Sequence, residues 1–158
     1  MNYAIISSAF LLAASLSTSL AAQTIEVKDA WVRATVQGQK ATGAFMTLTA
    51  KSGASLVGVS TPVATVAEVH EMKMEGDVMK MRAMPQGLNL PAGQSVKLNP
   101  GGYHVMLMDL KLPLKTNTTI PLTLIFKDSK GVESKTELKV PVSQSAPANA
   151  MPADHKHH

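Results

Sequence analysis

The sequence predicts an all-β fold, an antiparallel β-sandwich or Greek-key barrel, on three observations. Apolar and polar residues alternate over short stretches, the period of a strand with one buried face. Turn-forming residues punctuate those stretches at the spacing of two-layer β proteins. No long segment past the amino-terminal region keeps a helical period.

Taken in order, the first expected strand is Ile25–Ala34, followed by Ala44–Ala50, which ends where Lys51-Ser52-Gly53 turns the chain. Ser55–Ser60 and Thr65–Met74 come next, and Glu75-Gly76-Asp77 reverses the latter into Val78–Met84 as a hairpin. Pro91-Ala92-Gly93 precedes the short strand Ser95–Leu98, and Asn99-Pro100-Gly101-Gly102 separates that strand from Tyr103–Asp109. Ile120–Lys127 and Lys135–Val142 complete the set on either side of Asp128-Ser129-Lys130-Gly131.

The two ends read differently from the middle. Residues 1–22 hold an apolar run from Ala4 to Ala14, small residues after it and a cleavage site after Ala21 or Ala22, the pattern of an export signal, though without Lys or Arg ahead of the run. That run is shorter than the ~20 residues a membrane span needs, which disfavours an anchor. The expectation is a periplasmic protein with its signal removed and no stable membrane insertion. Residues 144–158, QSAPANAMPADHKHH, are too poor in large apolar side chains to fold and read as a flexible tail. A single domain over 23–143 remains, since 158 residues less 22 leave about 136, enough for one core and too few for two.

Composition narrows the chemistry. The formal charge is +4, but the basic residues are scattered, so no nucleic-acid footprint is expected. The chain has no cysteine, which excludes disulfides, thiol chemistry and a blue-copper site, whose ligand set requires a thiolate.

Methionine and histidine, by contrast, are pooled. His70 to Met84 reads HEMKMEGDVMKMRAM and Tyr103 to Met108 reads YHVMLM; apart from Met1, Met46 and Met151, every methionine lies in these stretches. Thioethers select Cu(I), and imidazole accepts either oxidation state of copper. A two-residue period puts His70, Met72 and Met74 on one strand face, Met79 and Met81 on one face of the returning strand, and His104, Met106 and Met108 on one face of the later strand. Hairpin pairing is expected to set a thioether across from His70. If the later strand packs beside the hairpin, His70, Met81, His104 and Met106 converge into a neutral set of two imidazoles and two thioethers that suits Cu(I). Such a site loses affinity as pH falls below the ordinary histidine pKa of about 6.5. Against this stands the ordinary use of methionine as core filler, which leaves Met72, Met74, Met79 and Met108 open as core residues or spare ligands. Glu68, Glu71, Glu75 and Asp77 read as solvated charges.

These residues resemble the periplasmic PCuAC-type copper chaperones, whose signature is a His, a Met about ten residues later and a distant His-x-Met. The chain supplies His70, Met81 and His104-Val105-Met106, and HEMKMEGDVMKM, LPAGQSVKLNPGGYHVMLMDL and PLTLIF are similar to the family's wording. The resemblance spans about Ile25 to Val142. It implies a cupredoxin-like β-sandwich holding Cu(I) through those four residues. It also implies delivery of copper to the binuclear CuA centre of cytochrome c oxidase, beside a Sco-type thiol protein that reduces the target's cysteines. A monomer is expected. In the tail, Met151, Asp154, His155, His157 and His158 form a second candidate site, suited to Cu(II) capture.

Two other readings keep the fold. One is a periplasmic copper buffer without an oxidase client; the other is an interaction module whose methionines simply pack its core. No enzymatic activity is expected, because no Ser-His-Asp, zinc-protease or phosphate-loop pattern occurs and four protein ligands leave no position for a substrate.

Overall fold

A computed structural model describes residues 24–148; the expected signal over 1–22 and the tail ligands Met151, Asp154, His155, His157 and His158 lie outside the described residues. The strands are β1 Ile25–Arg33, β2 Ala41–Ala50, β3 Ala54–Ser60, β4 Ala64–Glu75, β5 Val78–Ala83, β6 Leu88–Leu90, β7 Ser95–Leu98, β8 His104–Leu110, β9 Thr119–Lys127 and β10 Glu133–Ser143. Among the described residues there is no α-helix, hence none long and apolar enough to cross a membrane.

Hydrogen bonding runs in the order β5-β4-β8-β2-β1-β10-β9-β3-β6, with β7 paired to the far half of β2. The path folds into two layers. One carries β5, β4, β8, β2 and β1; the other carries β10, β9, β3 and β6, and the two join where β1 pairs with β10 at Val32 and Val142. That junction is parallel, so the expected antiparallel sandwich contains one parallel pair; all other pairings are antiparallel. The layers enclose one core, with Met46, Leu48, Val69, Val105 and Leu107 facing Leu56, Leu90, Leu122, Leu124, Phe126 and Val140. Fully burying a side chain of this size contributes about 1.5–3 kcal/mol.

Differences from the sequence reading have local causes. β2 starts at Ala41 rather than Ala44, because Gly43, which looks like a strand breaker, holds its place opposite Met106. β6 escapes sequence reading, since three residues are too few to display a period, yet Leu88 and Leu90 pair with β3 and enter the core.

A bulge in β1 reshapes the outer face of the first layer. The register of β1 against β2 shifts between Lys28 and Trp31, and Asp29 adopts the left-handed region with φ 52°. Strict alternation from Ile25 and Val27 would turn Trp31 into the core. The extra residue instead sends Val32 inward and Trp31 to the outer face, where its ring centroid lies 4.8 Å from that of Phe45.

Candidate metal centre

The outer face of the β5-β4-β8-β2 layer carries a second cluster, separate from the core. Cross-strand pairs on this face are His70 with His104, Glu68 with Met106, Met106 with Gly43, and Met72 with Met81. Val69 and Val105, the neighbours of the histidines, point the other way into the core, so both imidazoles are anchored on strands that cannot slip without exposing valines. Both rings are buried, and their centroids lie 5.8 Å apart.

Phe45 forms the floor. Its ring lies 6.4 Å from that of His104, with the guanidinium of Arg33 5.5 Å above it. The ring can lie across β2 only because residue 43 is glycine; a Cβ there would stand 2.6 Å from Phe45 Cζ. Beside it opens a cleft of about 320 Å³ lined by Met72, Met81, His104, Met106, Phe45 and Arg33, among others.

Hydrogen bonding assigns the imidazole nitrogens. His104 Nδ1 lies 3.0 Å from the carbonyl oxygen of Gly102. A carbonyl only accepts, so Nδ1 carries the proton and Nε2 of the neutral ring is bare. That bare nitrogen faces Met81 Sδ at 3.1 Å. A thioether has no proton to give, so two lone pairs face one another, an arrangement completed by a cation. Burial lowers the His104 pKa and so favours the neutral ring, the hydrogen bond to Gly102 partly offsets this, and nearby His70 lowers it further.

His70 repeats the pattern. Its Nε2 lies 2.9 Å from Glu68 Oε2, an acceptor, so in the neutral ring Nδ1 is the nitrogen without a proton; Nδ1 is buried and without a hydrogen-bond partner. Each histidine thus spends one N–H on an oxygen and keeps one nitrogen free, the outer-sphere arrangement common around metal-binding imidazoles. Among the described residues no group of three or more histidine or carboxylate ligands stands ready to hold a metal.

Of the four residues singled out from the sequence, Met81, His104 and Met106 share the cleft, and His70 stands beside His104 rather than in the cleft lining. The expected thioether across from His70 is displaced by two positions along the ladder: Ala83 and His104 are its direct partners, while Met81 sits opposite Met72. Met74, Met79 and Met81 are 55, 50 and 47% exposed, so they are not core filler; Met46, outside both clusters, is buried in the core, and Met84 packs against it. Glu68, read as a solvated charge, holds His70, and Glu71 is paired with Arg82 at 2.6 Å. Glu68 was within reach of the sequence, two residues before His70 and therefore on its face. The Gly102 carbonyl and the Phe45 floor left no such signal.

Residues 25–142 match the family model described as "Putative lipoprotein LpqE-like". The chain belongs to the LpqE-like family. A curated relative, "Putative lipoprotein Lxx21020" of Leifsonia xyli subsp. xyli, is 34% identical over 125 residues, covering 79% of this chain and 73% of its own length. Among solved structures similar to this LpqE-like chain is apo-DR1885 from Deinococcus radiodurans, at 30% identity and TM-score 0.55, covering 90% of this chain and 97% of that one. Its Cu(I) form, CuI-DR1885, matches at 30% identity and TM-score 0.57 over 81% and 82% of the two chains. The apo PCuAC domain from PmoF1 has the same fold, with TM-score 0.59 over 78% of this chain and 94% of that domain at 24% identity. The cupredoxin-like sandwich and the PCuAC resemblance read from the sequence are upheld.

Proposed function

We propose that this LpqE-like protein is a periplasmic copper chaperone, a non-enzymatic carrier that holds Cu(I) through His70, Met81, His104 and Met106. One observation carries the reading: the bare Nε2 of His104 faces Met81 Sδ at 3.1 Å with no proton to share between them. A soft, neutral donor pair of this kind favours Cu(I) over the harder divalent ions, and the exposure of Met81 leaves a path for ligand exchange with an acceptor. The Cu(I) form of DR1885 supports copper as the cargo. We further propose the CuA centre of cytochrome c oxidase as acceptor, with a Sco-type protein beside it. In this reading residues 1–22 direct export, 23–143 form the carrier domain, and Met151, Asp154, His155, His157 and His158 in the 144–158 tail capture Cu(II).

Anaerobic Cu(I) titration against a competing chromophoric chelator tests the site. The expected result is a tight domain equivalent that weakens when His70, Met81, His104 or Met106 is replaced singly, with the fold retained. Binding indifferent to all four substitutions overturns it.

A further inference from the structure

The β4–β5 hairpin has two chemically distinct faces. On one, charges are paired: Arg82 with Glu71 at 2.6 Å and Lys80 with Glu75 at 2.6 Å. On the other, from Met72 round the turn to Met81, stand four methionines and no charge, with Glu68 and His70 further back along β4. They form two directly opposed cross-strand pairs, Met72 with Met81 and Met74 with Met79. The outer pair sits next to the turn, and both of its members are at least half exposed. Packing does not account for them, because an exposed methionine in a strand buries little and has a weaker β-propensity than Val, Ile or Thr. Directly opposed side chains have Cβ atoms ~4.5–5.5 Å apart, so two flexible thioethers can close on one ion.

We infer that Met74 and Met79, with Met72 as a third donor, form a second, weaker binding site for a soft monovalent cation at the hairpin tip. The tip site feeds the histidine site. Along the strands the two pairs are two residues apart, about 7 Å, so an ion can pass by exchanging one thioether at a time, with Met72 bordering both positions. All-thioether ligation holds the ion loosely, which suits capture at an exposed edge, while the imidazoles further in retain it. This inference rests on the soft-metal carrier reading above.

The test is titration of the full-length protein, labelled with ¹³C at the methionine ε-methyl groups, with Ag⁺ as a redox-inert probe. The expected result is that Met81 and Met106 signals respond within the first equivalent and Met74 and Met79 signals in the second. The M74L/M79L variant should lose one equivalent relative to the parent, keep the first-equivalent affinity unchanged, and load several-fold more slowly. Tail ligands contribute equally to both proteins and cancel in the comparison. Met74 and Met79 signals that stay still through two equivalents overturn the inference and leave the histidine site standing. Movement of those signals only together with dimerisation, read from translational diffusion, also overturns it, since the thioethers would then bridge two copies. Movement at Met74 and Met79 without any at Met81 and Met106 preserves the tip site and sinks the histidine-site reading instead.

Discussion

Two hydrogen bonds to oxygen, Gly102 O on His104 and Glu68 Oε2 on His70, decide which imidazole nitrogens remain free. Orienting carboxylates of this kind are worth 10–100-fold in metal affinity. Glu68→Gln should therefore lower Cu(I) affinity by about that factor while the apoprotein's melting temperature shifts little; an unchanged affinity in the chelator competition counts against the role given to Glu68. The His104 pKa has a consequence for the apoprotein. Because burial holds the folded-state value below the ordinary 6.5, the unfolded chain takes up a proton first as pH falls. The stability associated with neutral His104 is present above about pH 6.5 and is lost progressively below it, down to the lowered folded value. Thermal melts should show apoprotein stability falling on acidification from pH 7.5 to 5.5, with a shallower fall in His104→Gln. An equal slope in the two proteins would assign the pH dependence to other groups.

At the level of elements, the site depends on two departures from regular strand structure. The β1 bulge at Asp29 brings Trp31 to the outer face, and Gly43 leaves space for the Phe45 ring between Trp31 and His104. Gly43→Ala places a methyl group where the Phe45 ring now lies, so that ring, packed against Trp31, Arg33 and His104, must shift to admit it. Overpacking of this sort costs about 1–3 kcal/mol. The variant should melt earlier and change the emission of Trp31, the only tryptophan in the chain; parental stability with parental emission would show that the floor tolerates the methyl. Neither departure was legible in the sequence. Asp29 lies within an otherwise alternating run, and Gly43 looks like a reason to start the strand later. The hairpin, in contrast, is legible to within a residue at each end, because Glu75-Gly76-Asp77 is a strong turn signal between two alternating runs.

For the whole molecule, the two faces of one layer serve separate purposes. Inward side chains build the sandwich core, and outward ones build the donor cluster, so valines next to each histidine secure the strands that hold the imidazoles. The fold class, the strands long enough to show a two-residue period, and the candidate donors His70, Met81, His104 and Met106 are all readable from the amino-acid sequence. Those properties are local: alternation, turn residues and ligand chemistry are all written within a few positions of one another. That β4 pairs with β8, which sets His70 against His104, and that β1 meets β10 in parallel to join the layers, emerges only in the folded chain. Which methionine faces which emerges there too. Such choices depend on strand pairing between distant segments, where a shift of one residue exchanges core and surface, and no pattern confined to a single strand records its partner's register.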